Sequence, residues 1–203
     1  MNFGLEPLQR FSGVVMIALA VLFAGLAATG ARAEVYADDP NSQDPAKLQI
    51  MVMAANLAPI AKTFGCEFAW GQVIGPHSLT LEFVPKGKDV RKWEQLVTFT
   101  TFELPPKEEG QRALIERIRM LTINNFSERG TVTNKRLGAD SSKMPTAYFE
   151  YELGEGAAKE YGVAGIYKAR PALAIIVQYQ MRKPLAQTDA AKMSALAMPA
   201  AKN

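Results

Sequence analysis

Cysteine and histidine are almost absent from this sequence: 203 residues contain one of each, Cys66 and His77. A single cysteine excludes an intramolecular disulfide, and so few thiols and imidazoles exclude a zinc site built from several of them. An excess of charge is also missing, because 23 Lys and Arg balance 20 Asp and Glu to a net charge of +3. That charge does not predict a nucleic-acid partner. With 48% apolar and 21% charged residues, the composition is that of a globular protein.

Catalytic signatures are missing as well. The chain contains no nucleophile elbow, phosphate-binding loop, dinucleotide fingerprint or paired-histidine metal motif. A thiolate nucleophile needs a base within hydrogen-bonding reach and a third group to orient that base, and the sequence offers no third group for Cys66 and His77. We therefore predict a buried Cys66, a surface His77 and no enzymatic activity. The sequence leaves open whether Cys66 stays free or pairs with another molecule.

Methionines are the remaining candidates for a metal site, since thioethers bind soft copper ions. Met51 and Met53 lie two residues apart, and Met193 and Met198 lie five apart. On a helix, side chains two residues apart point in directions about 200° apart, so Met51 and Met53 do not share one ion. We predict that these methionines pack in the core and that the protein has no metal or other cofactor.

The first 33 residues have the pattern of a secretory signal. Arg10 precedes an apolar run over residues 11–30, and Ala31-Arg32-Ala33 has the small-residue form of a cleavage site. The alternative is a retained anchor, because about 20 apolar residues span a bilayer. The small residues that end the run favour cleavage after Ala33. We predict a periplasmic or secreted protein of a bacterium, without stable membrane insertion after cleavage.

Residues 34–45 are polar and predict a flexible arm, and residues 46–197 predict a single domain followed by a frayed tail over 198–203. Asp44 is suited to cap a helix and Pro45 to occupy its first turn. The Ala-, Leu- and Met-rich segment 46–62 predicts that helix, with Pro59 expected to kink or end it.

Strand and helix patterns then follow each other along the chain. Apolar and polar residues alternate over 79–85, which predicts a half-buried strand, and 96–102 is rich in β-branched and aromatic residues. Apolar residues at three- and four-residue spacing predict a helix over 107–126. Four more strands are predicted at 131–137, 146–153, 161–168 and 172–181, before a helix at 185–196. The last strand is apolar on both faces, which predicts a central position between helices, with Ile175 and Ile118 in one core.

Short connections between strands predict an antiparallel sheet of about six strands, covered by helices in an α+β, α/β/α sandwich. This order over residues 68–197 resembles the PsbP/DcrB-like superfamily of exported domains, in topology rather than in any motif. The helix over 46–62 has no counterpart in that pattern. Members of that superfamily are mostly non-enzymatic accessory or assembly proteins of membrane complexes. The resemblance implies such a role and supplies no functional residues.

The densest basic cluster lies between the first two predicted strands. It is a possible partner-docking patch and consists of Lys86, Lys88, Arg91, Lys92 and Trp93, diluted by Asp89 and Glu94. We therefore expect a non-catalytic accessory or binding protein of the cell envelope that acts through a protein partner. The alternative is a small-molecule or metal-binding protein that uses a cleft between the sheet and the N-terminal helix.

Overall fold

The computed structural model describes residues 34–36, 44–75 and 77–198. The predicted signal over 1–33 with its cleavage site, most of the predicted arm and the last residues of the predicted tail lie outside these ranges. The helices are α1 (Pro45–Thr63), α2 (Glu108–Arg129) and α3 (Gln187–Ala197). The strands are β1 (Glu34–Tyr36), β2 (Cys66–Gly75), β3 (Ser78–Pro85), β4 (Gln95–Glu103), β5 (Gly130–Ala139), β6 (Pro145–Leu153), β7 (Glu160–Arg170) and β8 (Leu173–Met181).

Seven long strands form one antiparallel sheet, and the three-residue β1 extends its edge, in the order β1-β2-β3-β4-β8-β7-β6-β5. The predicted α+β class and the layered arrangement are confirmed. Strand β1 consists of the first three residues of the predicted arm. The sheet consists of two runs of sequential neighbours, β1 to β4 and β5 to β8, which meet only where β4 pairs with β8. Thr98 of β4 lies opposite Gln178 of β8 in that central pairing.

The two faces of the sheet have separate apolar cores. On one face Ile50 of α1 and Met193 of α3 belong to a cluster with Phe99 and Val177. On the other face α2 supplies much of the apolar cover, and it contacts β5, β6 and β7. The predicted central position of β8 is confirmed, and its side chains enter both clusters.

One core prediction is wrong. Ile175 lies in the cluster beneath α1 and α3, whereas Ile118 lies in the cluster beneath α2. The reason is the two-residue period of a strand, which sends neighbouring side chains to opposite faces. Ala174 and Ile176 are therefore the β8 residues that share a core with Ile118.

Helix α1 begins as predicted, because the Asp44 carboxylate accepts a hydrogen bond from the backbone N–H of Ala46 at 2.9 Å, and Pro45 lies in the first turn. It does not end at Pro59 but continues to Thr63. Pro59 and Ala55 both lie on the exposed side of the helix. The carbonyl of Ala55, which lacks its usual N–H partner at Pro59, therefore lies on the side of the helix that points away from the sheet. No helix in the described ranges is long and apolar enough to cross a membrane.

Strand β2 was not predicted, and its irregular register explains why. The pairing with β3 shifts between Phe68 and Trp70 and again between Val73 and Gly75. Across the first shift the residues on the α1 side change from Cys66 and Phe68 to Val73, so the alternation that reveals a strand is interrupted.

Two glycines allow close approaches onto the sheet. At Gly71 a Cβ atom would lie 2.5 Å from Cγ2 of Ile50, so α1 rests directly on this position. At Gly162 of β7 a Cβ atom would overlap the ring of Tyr151. That ring also packs against Phe126, with ring centroids 4.4 Å apart. Both positions therefore have no room for a side chain.

Candidate functional site

The predicted basic patch lies on the connection between β3 and β4. Gly87 has a φ of +74°, which permits the turn after β3. A short 3-10 helix, Val90–Lys92, follows and is capped by Asp89, which accepts hydrogen bonds from the backbone N–H of Arg91 at 2.9 Å and from its Nε at 3.0 Å. The hydrogen bond from the Arg91 side chain holds the pKa of Asp89 below its ordinary value. Part of the Arg91 charge is therefore neutralised within the patch.

The other charged members of the patch are free to face solvent, whereas its aromatic member is not. Lys86, Lys88 and Lys92 are exposed. Trp93 is buried and packs with Val84 and Leu96 at the end of the sheet. The predicted patch is thus a cationic surface that lies over a buried tryptophan. Trp93 supports this surface from below and is not itself exposed to a partner.

Arg182, at the end of β8, completes this surface. Its guanidinium carbon lies 4.2 Å from the centre of the Trp93 ring, and its Nη1 donates to the carbonyl of Ala158 at 2.8 Å and to Oε1 of Glu160 at 3.0 Å. These three contacts fix a long side chain that is otherwise mobile, so its position is set before any partner binds.

A cleft of about 600 Å³ lies between the β3–β4 connection and the end of β8. We call it the cationic cleft; its charged lining consists of Lys88, Lys92, Glu94, Arg182 and Lys183. Four cations thus line the cleft with one carboxylate, and the charge of Arg182 is partly neutralised by its ion pair with Glu160 outside the lining. A second cleft, of about 420 Å³, is also lined by this connection, and its Lys88 and Arg91 are balanced by Glu67 and Asp89. The charges of the cationic cleft, by contrast, favour an anionic ligand or an acidic segment.

Sequence analysis missed Arg182 and Lys183, which follow the patch by about ninety residues. They reach it because β4 and β8 pair in the sheet, with Gln95 opposite Met181, and the backbone N–H of Arg182 donates to the carbonyl of Glu94 at 3.0 Å. The sequence contained a weak signal, since both cations directly follow a strand pattern. It did not contain the pairing that brings them to the patch.

Cys66 and His77 lie at opposite ends of β2, and a ten-residue strand separates them by roughly 30 Å. Cys66 is buried, and burial raises the pKa of its thiol to about 11. The side chain of His77 is 69% exposed, and its Nδ1 lies 2.8 Å from Oε2 of Glu103. The predicted buried thiol and surface imidazole are confirmed. The two groups are too far apart to act together on one substrate.

The methionines considered for copper lie against the apolar core. Met51 and Met53 are partly buried beside the cluster beneath α1, and Met193 is fully buried in it. The sulfur of Met198 accepts a hydrogen bond from the Thr146 hydroxyl at 3.1 Å. In the described ranges no group of three or more His, Cys, Asp or Glu side chains is placed to hold a metal ion.

A row of polar side chains on β3, β4 and β8 was also missed as a group. On the face that carries α2, these strands present Ser78, Thr80, Glu82, Thr98, Thr100, Gln178 and Gln180, all buried. The half-buried strand predicted over 79–85 is thus buried on both faces. Glu82, Thr98 and Gln178 are neighbours across three strands. Burial raises the pKa of Glu82 to about 7.

No known protein-family model matches this chain, and no curated protein matches it in sequence.

Proposed function

We propose that this chain is an exported, non-catalytic binding protein of the bacterial cell envelope, which docks an acidic segment of a protein partner in the cationic cleft. The observation that carries the proposal is the convergence of Lys88, Lys92, Arg182 and Lys183 on one cleft that contains a single carboxylate. Because Arg182 is fixed in advance by Trp93 and its other contacts, a partner loses less conformational entropy there on binding.

Two further considerations support a protein partner. The cleft lies where loops meet at the end of a rigid sheet, which is a frequent place for recognition. The topological resemblance to PsbP/DcrB-like domains, which stays a prediction, points to the same class of accessory protein.

The thiol and imidazole lie at opposite ends of a strand, so they give no support to an enzymatic alternative.

A small anionic molecule is the second candidate, because about 600 Å³ is within the range of ligand pockets. The cationic cleft supports this candidate better than the predicted space between the sheet and α1. In that space Ile50 rests directly on Gly71, and the helix buries Ile50 and Leu57 in the apolar cluster.

The test compares charge reversal in the cleft with matched charge reversal elsewhere. The cleft variant carries Lys88→Glu, Lys92→Glu and Lys183→Glu. The control variant carries the same change of charge at exposed positions away from the cleft, Lys107→Glu, Arg117→Glu and Lys135→Glu. Because all six side chains are exposed, both variants should stay folded.

Each protein is used to capture partners from envelope extracts, and the stoichiometric partner is then titrated directly at two salt concentrations. We expect the cleft variant to lose binding, the control variant to keep it, and added salt to weaken it. Equal binding by all three proteins would contradict the proposal. An anion that co-purifies with the parent protein and is lost from the cleft variant, in native mass spectrometry, would favour the second candidate.

A further inference from the structure

Helix α1 is apolar on both of its sides. Only Lys47 and Lys62 are charged among its 19 residues. Its inner side buries Ile50, Ala54, Leu57 and Ala61 against the sheet. Its outer side exposes Leu48, Val52, Ala55 and Pro59, with Leu48 at 52% and Val52 at 61% exposure. The exposed polar residues Gln49 and Asn56 flank these four on one side, so the outer apolar surface is a narrow stripe.

The four outer residues form a straight line along the helix. Their spacing is four, three and four residues, which at about 100° per residue keeps them within an arc of about 60°. We call this line the outer stripe of α1. Its side chains are uncharged, and it contains two of the four large apolar side chains that are strongly exposed in the described residues. Such a contiguous apolar surface is typical of an interaction site.

We propose that the outer stripe binds a second copy of this chain, with the two α1 helices antiparallel across a two-fold axis between Val52 and Ala55. In this arrangement Val52 of each copy faces Ala55 of the other, and Leu48 faces Pro59, so large and small side chains interdigitate. The surface is complementary to itself, as a two-fold interface requires.

Charge complementarity favours the antiparallel pair. Asp44 and Lys62 are exposed at the two ends of the helix, and helical geometry places both on the same side of the stripe. The two-fold axis brings Lys62 of one copy beside Asp44 of the other, near the N-terminal end of the facing helix. A parallel pair would instead place the two lysines together. The helix dipoles are also better matched when the helices are antiparallel.

One helix face is a small interface compared with the roughly 800 Å² per partner of a standard stable complex. We therefore expect a dimer that dissociates on dilution. It leaves the cationic cleft unoccupied, because the stripe and the cleft share no residues. The inference thus goes beyond the proposed function and stands or falls separately from it.

Single introduced cysteines test the geometry, since the native Cys66 is buried and its thiol pKa of about 11 keeps it unreactive. Under mild oxidation Ala55→Cys, near the proposed axis, should form a disulfide-linked dimer. Gln49→Cys is the matched control, because it is exposed on the same helix but lies about 90° from the middle of the stripe. Sedimentation of the parent protein over a concentration series gives the dimer fraction without crosslinking.

The second comparison removes the apolar surface instead of crosslinking it. Val52→Glu should reduce the dimer fraction at least tenfold, whereas Leu137→Glu, at the 48% exposed apolar residue of β5, should leave it unchanged. Circular dichroism checks that both variants are folded. The proposal is overturned if the parent is monomeric at every concentration, if Ala55→Cys crosslinks no faster than Gln49→Cys, or if both glutamates act alike.

Discussion

Replacement of Gly162 by alanine tests the packing between the α2 face and the C-terminal half of the sheet. Alanine in place of a strand glycine ordinarily stabilises a protein by about 0.5–1 kcal/mol, because it restricts the unfolded chain. Here the new methyl group would overlap the ring of Tyr151. That ring is 2% exposed and lies 4.4 Å from Phe126, so it has nowhere to move. We expect overpacking to dominate and Gly162→Ala to lower the free energy of unfolding by about 1–3 kcal/mol.

Urea titration of a double-mutant cycle isolates the overlap. Tyr151→Ala removes the ring, and in that background Gly162→Ala should be neutral or stabilising. The coupling free energy between the two sites should therefore be at least about 1 kcal/mol. The reasoning is refuted if Gly162→Ala is as stable as the parent protein, or if it destabilises both backgrounds equally.

Two further predictions concern the interior. Burial raises the pKa of Glu82 from 4.5 to about 7, so the unfolded chain releases this proton first as the pH rises. The contribution of this carboxyl to stability is thus present below pH 4.5 and is lost by about pH 7, a change of about 3 kcal/mol. Glu82→Gln should remove that loss in urea titrations from pH 4 to 8; an unchanged pH profile would contradict it. Ile118→Ala and Ile175→Ala should each destabilise by about 2–5 kcal/mol, and their effects should add within about 0.5 kcal/mol because the residues lie on opposite faces. A large coupling between them would mean that the faces are not independent.

Local patterns in the sequence predicted the elements that are regular and the loop that is rich in charge. Asp44 and Pro45 marked the start of α1, and Lys88 and Lys92 marked an exposed basic connection. What the sequence could not supply was register. The bulge after Phe68 disguised β2 because it interrupts the two-residue period that reveals a strand.

The prediction of the cleft and of the two cores was limited by the same cause, because local sequence patterns contain no information on long-range contacts. Arg182 joins the basic patch only because β4 pairs with β8, a contact between segments far apart in the chain. Ile118 and Ile175 were assigned to one core because apolar character does not tell which face of a strand a residue occupies. Odd- and even-numbered residues of β8 point to opposite faces of the sheet. Which helices cover each face is known only from the structure.

The central pairing of β4 with β8 has a consequence for how the chain folds. Each half of the sheet is built from neighbours in sequence, so its hairpins can form early and locally. The two halves can join only after the segment Leu173–Met181 is available, because this segment is β8 and its pairing with β4 joins them. The pairing of β4 with β8 closes the long loop of chain between these two strands, and closing a long loop is slow relative to hairpin formation. A chain that emerges from its N-terminus at a ribosome would therefore keep an open sheet edge on β4 until the residues of β8 had appeared, and the rate-limiting step of folding should be the insertion of β8.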